Sequence, residues 1–401
     1  MAYQVKTTTS YGQRVSNSFK GIASGFLMFI IGTILLFWNE GNFIKTKRLI
    51  NEVDNQTIRV DDVSTIDPSI NGKTIHASAF ADTKDVLTDG LFGVSETAIS
   101  ISRRIEYYQY KEKTHTEKRD KIGGGEETIT TYTYEKDWSS SPINSASFAD
   151  PDYKSSNFIL TEVDPKTERA QNVSFGAYKL PSFLISDISG PVQAGVNLTP
   201  DQVQQWEKVI SDKASALGFI TSYYETVQYV HVSGNVVYFG KTPSVPNVGD
   251  VRVTLTKVLP KDISIVAKVN GNTFEKYLDK NNRAFYSVSM GVVSAEAMFA
   301  HEHASNSVWT WIFRILGIIL VIGGLKSMFS ILPTLFKVLP FLGNIVGAGV
   351  GLVCSVVGFA WSLLIIGISW LWYRPLIGII FLAIAVAGIW FLKSKAKAKN
   401  S

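Results

Sequence analysis

Few side chains in this sequence are placed to do chemistry, and the informative ones lie at the edges of hydrophobic segments. His301-Glu302-His303 is the one local histidine pair. On a helix, neighbours two apart point in different directions, so the pair lacks the i, i+4 spacing of a zinc-binding face. Gly347-Ala348-Gly349-Val350-Gly351 has the look of a nucleotide loop but sits inside an apolar run without the strand such a loop needs. The lone cysteine, Cys354, is in the same run, where a thiol has no cation to activate it. Acidic pairs such as Glu126/Glu127 have no partner that would raise a carboxyl into working range. The sequence therefore predicts no catalytic residue, no metal site and no cofactor. One polar set stands out: Asn39 and Glu40 close the first apolar segment, Arg314 lies early in the second, and Arg374 opens the last. Charges at such depths either lock helices together or grip a lipid headgroup or another amphiphile.

Those residues are positioned by an unequal hydrophobic layout, with one segment at the start and three at the end. Gly21 to Asn39 is uncharged between Lys20 and Glu40. As a helix it rises about 28 Å, close to the roughly 30 Å of a bilayer's hydrocarbon core. It ends in Phe37-Trp38-Asn39-Glu40 rather than in the small residues of a cleavage site, so a retained span is expected. The closing block predicts spans over 308–325, 342–371 and 375–392, with an amphipathic or interfacial segment at 326–341. Gly343, Gly347 and Gly351 fall four apart on one helix face, where backbones can approach closely within the chain or between subunits.

Charge sets the expected orientation. Lys6, Arg14, Lys20, Lys326, Lys337 and the tail lysines Lys393, Lys395, Lys397 and Lys399 are assigned to the cytoplasmic side. Residues 1–20 and 393–401 are then cytoplasmic and 40–307 extracytoplasmic. The tail can also attract anionic lipid headgroups. No basic stripe with interleaved aromatics appears, which argues against nucleic acid.

The extracytoplasmic stretch reads mostly as β. Residues 99–112 and 128–138 predict a long hairpin around a charged, mobile 113–127 loop. Gly234-Asn235 marks a type II′ turn, and 251–258, 263–269 and 284–290 read as further strands. Thr199 followed by Pro200 and Asp201 starts a helix to about Leu217. A second helix begins near Ser294 and runs through His301 into the membrane block. The expected fold is α+β: a four-span helical region, one span N-terminal and three C-terminal, with a large antiparallel-β-rich extracytoplasmic domain.

Several patches also resemble the LUMA, or transmembrane protein 43, family. They include Trp38-Asn39-Glu40-Gly41 with Lys45-Thr46, and Arg104-Ile105-Glu106-Tyr107-Tyr108-Gln109-Tyr110. Gly249-Asp250-Val251-Arg252-Val253, Thr310-Trp311 with Arg314, and Tyr373-Arg374-Pro375-Leu376 continue the pattern in chain order. The resemblance implies a four-span, self-associating protein with a lumenal or extracytoplasmic domain. Animal members belong to the endoplasmic reticulum and inner nuclear membrane, and bacterial relatives are thought to organise membranes. The single cysteine and lysine-rich tail point to a bacterial member in the cytoplasmic membrane; a eukaryotic one would sit in the endoplasmic reticulum or nuclear envelope. The expected function is a non-enzymatic scaffold that homo-oligomerises, with membrane lipids as partners. A lipid- or amphiphile-binding sensor or carrier, using the charged interfacial set, is the alternative.

Overall fold

The computed structural model describes residues 2–217 and 227–373. Arg374, the expected fourth span at 375–392 and the basic tail lie outside the described residues. In chain order the principal elements are β1 (Tyr3–Thr9), α1 (Tyr11–Gln56), β2 (Thr74–Thr83), β3 (Ser100–Asp120) and β4 (Glu126–Ser139). There follow α2 (Pro200–Ala216), β5 (Val230–Ser233), β6 (Val236–Phe239), β7 (Val251–Val258), β8 (Lys261–Asn270) and β9 (Ser287–Met290). The chain closes with α3 (Ala295–Met328), α4 (Ile331–Phe336) and α5 (Pro340–Tyr373).

Two compact units result. The first takes Met1–Val5, Val53–His115 and Thr130–Met298; the second takes Lys6–Glu52, Thr116–Ile129 and Phe299–Ser401.

The first unit is built on two sheets. An eight-stranded sheet runs β1-β4-β3-β7-β6-β5, with two short strands added. In it Val253 pairs with Ile105 and Val251 with Tyr107. Alternate residues of β7 are buried, so Val251, Val253 and Leu255 join Ile105, Phe239 and Phe92 in one core. Helix α2 seals this core: Trp206 stacks on Phe92 at 5.8 Å, and Ile210 and Ala214 are buried. Its start is a capping box between Thr199 and Gln202 followed by Pro200, which matches the sequence expectation. The second, seven-stranded sheet centres on β8 and β2. Ile263, Ile265, Ala267 and Val269 pack there with Ile75, Phe175, Tyr178 and Leu184. The β5–β6 turn places Gly234 at φ +61° with Ser233 paired to Val236, as a type II′ turn requires.

The second unit is helical. Three helices are long and apolar enough to cross a membrane: α1, α3 continued through α4, and α5. Phe26, Leu27, Ile34, Ile319, Val353 and Val356 are exposed on them, the outer surface a lipid solvent would cover. Leu36, Val321 and Ile365 form the small core between the three. Helix α3 starts at Ala295 and passes His301 without a break, as the sequence predicts. Within 326–341, α3 ends at Met328 and the short α4 turns the chain into α5.

One expectation needs correction. Residues 113–127 are not a mobile loop, because β3 extends to Asp120 and β4 starts at Glu126. Cross-strand ion pairs supply the reason: Lys113 with Glu135 at 2.5 Å and Lys118 with Glu126 at 3.3 Å neutralise a run that reads as disordered in one dimension. Residues 1–20, expected as a cytoplasmic N-terminus, hold a strand and the first turns of α1. Residues 3–9 pair with β4, where Gln4 Nε2 donates to Thr131 Oγ1 at 3.2 Å and Tyr3 lies 6.2 Å from Tyr132.

Candidate functional site

Helices α1 and α3 hold three of the four polar residues that the sequence singles out, Asn39, Glu40 and Arg314; Arg374 lies outside the described residues. Glu40 is fully buried, and Arg314 meets it as a fork: Nε to Oε1 at 2.5 Å and Nη2 to Oε2 at 2.8 Å. Trp370 Nε1 donates to the same Oε2 at 2.8 Å. The planar guanidinium matches a carboxylate in this geometry as a lysine could not. Trp311 lies under the Arg314 guanidinium at 4.8 Å and shields its other face. Asn39 is buried as well, its Nδ2 donating to the Thr310 carbonyl at 3.0 Å.

Next to Glu40, Gly41 lies against the ring of Tyr373. A methyl group on Gly41 would stand 2.4 Å from that ring, so the ring would have to shift to admit it. Arg48 donates to the Tyr373 carbonyl at 2.8 Å, and Lys45 sits 5.7 Å from the same ring. Trp370 and Tyr373 were not anticipated; the available signal was their nearness in sequence to Arg374.

Helices α1 and α3 meet along glycines of their own. A methyl on Gly25 would be 2.6 Å from the Gly324 carbonyl oxygen, and one on Gly324 would be 2.6 Å from that of Gly25. Gly32 and Gly317 form a second close approach, where a methyl on Gly317 would stand 2.6 Å from the Leu36 side chain. Each helix thus presents two glycines seven apart, and Ser327 adds a hydrogen bond to the Gly21 carbonyl at 2.8 Å. A methyl on Gly343 would crowd Lys337 in the turn before α5, and one on Gly347 would lie 3.5 Å from Pro333. Among the described residues, a methyl on Gly351 would have nothing within 4 Å.

Elsewhere, a cavity of about 370 Å³ in the β-rich unit has Phe158, Leu160 and Ala214 in its wall and Lys136 and Lys241 at its edge. Asp250 also lines it; burial pushes its carboxyl above the usual range while it accepts from the Tyr238 hydroxyl and from Asn247 N–H. His301 and His303 stand on the continuous α3 helix, and among the described residues no three His, Cys, Asp or Glu side chains are grouped to hold a metal.

Three helices apolar enough to span a membrane, tied by a buried ion pair, together with a large β-rich unit, define a membrane protein with three candidate spans and a large β-rich domain. Residues 107–375 match the family described as Transmembrane protein 43, and the chain belongs to that family. It is 26% identical to human transmembrane protein 43, over 99% of this chain and 96% of that protein. The mouse protein is 26% identical over 97% of this chain and 93% of its own length. A Drosophila melanogaster homologue is 23% identical over 92% and 93%. No solved structure matches.

Proposed function

We propose that the protein is a non-enzymatic membrane scaffold, one that homo-oligomerises and organises a region of membrane through its β-rich domain. The observation that carries this reading is the closure of the Glu40 site. Three donors from the protein's own side chains occupy the carboxylate, and Arg314 spends its fork on it. A charge set consumed in this way fixes helices rather than gripping a headgroup. The setting we favour is a bacterial cytoplasmic membrane, with surrounding lipids as the other partners. Helix α5 offers a place for a second copy, since Gly349 and Gly351 lie open on it. Mass measurement in native lipid should give an assembly larger than one chain, and a monomer alone would sink the reading. Gly351→Leu is expected to shift the protein toward smaller assemblies without lowering its melting temperature, because no neighbour is displaced.

The amphiphile-binding reading draws support from the cavity beside Phe158, where an apolar wall meets two lysines. Lipid extracted from the purified protein should then be enriched in one anionic class, and Lys136→Glu with Lys241→Glu should remove that enrichment. Bulk lipid composition before and after would count against it.

A further inference from the structure

The helical unit contains a second buried charge cluster, at the opposite end of α1 from Glu40. Arg14 Nη2 lies 2.8 Å from Asp120 and 3.4 Å from Glu126, and Lys337 Nζ lies 3.0 Å from Asp120. The Arg14 and Asp120 side chains are 9% and 15% exposed. The remaining donors of Arg14 are used on the hairpin backbone, with Nη1 on the Gly124 and Gly125 carbonyls at 3.0 and 3.2 Å. Gly123 N–H donates to the Val338 carbonyl at 3.0 Å. Gly124 has φ +86°, and a methyl there would stand 2.4 Å from the Tyr11 ring, so its place is reserved for glycine. Burial alone would raise the Asp120 carboxyl, but the hydrogen bonds and charges of Lys337 and Arg14 outweigh it and hold it below the usual range.

These contacts conflict with a hairpin tip that stays on the domain's side of the membrane. Arg14 and Glu40 are separated by about 39 Å of helix, more than the roughly 30 Å of hydrocarbon. The chain leaves α1 for the β-rich unit beyond Glu40, at Val53. Strands β3 and β4 lead to the tip through Lys111, Lys113, Lys118 and Arg119. Each such charge costs about 2.5–3.5 kcal/mol at the bilayer centre, and strand edges facing lipid leave backbone groups unpaired.

We infer that the hairpin tip, Thr116–Ile129, and the N-terminal strand face one aqueous compartment, at the Arg14 end of the first span, where the ion cluster holds the tip. The strands reach it through water or protein, not through lipid. The inference is independent of oligomer formation.

Cysteine labelling of the full-length protein in sealed vesicles tests this, on a Cys354→Ser background. Lys6→Cys and Ile122→Cys are both at exposed positions and should react with an impermeant maleimide from the same side. Reaction from opposite sides would overturn the inference. Leu278→Cys reports the side of the β-rich unit. If it labels opposite to the other two, the hairpin passes the membrane's thickness. If all three label together, the shared compartment stands and it is the spanning of α1 that fails. Asp120→Ala should in addition lose the tip's protection from trypsin at Lys118, Arg119 and Lys121. Unchanged protection would mean that the cluster does not hold the tip.

Discussion

Glu40→Ala is expected to destabilise the helical unit by about 3–5 kcal/mol, the usual cost of leaving one member of a buried ion pair alone. Arg314 would keep its charge in an apolar setting with only the Trp311 ring beside it. Trp370 would lose a hydrogen bond to a charged acceptor, which is worth about 1.5–3 kcal/mol. Thermal unfolding in detergent or nanodiscs reads this directly. The informative control is Glu40→Leu combined with Arg314→Leu, which removes both charges and refills the volume. It should recover most of the lost stability, because buried pairs replaced by apolar residues are often neutral or better. A Glu40→Ala protein that melts like the parent would refute the lock. A double variant that melts normally but loses a co-purifying lipid would restore the headgroup reading.

Gly25→Leu is the second large effect, and Gly324→Leu should match it. Even the first added carbon lands 2.6 Å from a carbonyl oxygen on the facing helix, and backbone cannot swing aside as a side-chain tip can. Overpacking of this kind costs about 1–3 kcal/mol, and here it also separates the Ser327–Gly21 and Asn39–Thr310 hydrogen bonds. Gly25→Ala should give a smaller loss in the same direction, whereas Gly351→Leu should leave the melting temperature alone. Equal melting of Gly25→Leu and Gly351→Leu would show that the α1–α3 seam is not close-packed.

The sequence carried the helices and much of the β-rich unit because local rules decide them: apolar length, period-two burial in β7, and a capping box ahead of α2. It carried Glu40 and Arg314 because a charge inside an apolar run needs a partner. The partner Trp370 was hidden, since an indole in such a run looks like an interfacial anchor. The glycine seam was missed for a geometric reason. Spacing of four on α5 drew notice, whereas the spacing of seven that brings Gly25 and Gly32 against Gly324 and Gly317 needs both helices at once. The ordered tip was hidden likewise: Lys113 and Glu135 are neighbours only across the strands, and Arg14 is remote in the chain.

Helix α1 is unbroken from Tyr11 to Gln56, with charged fastenings at Arg14 and at Glu40. Those fastenings make it a gauge of thickness. A free apolar helix meets a thin bilayer by tilting, at a modest cost per ångström. Here α1 is sewn to α3 along the glycines and to α5 through Trp370, so one helix cannot tilt without the others. In a bilayer the three would tilt only as one body, and the mismatch left over would fall on the lipid around them.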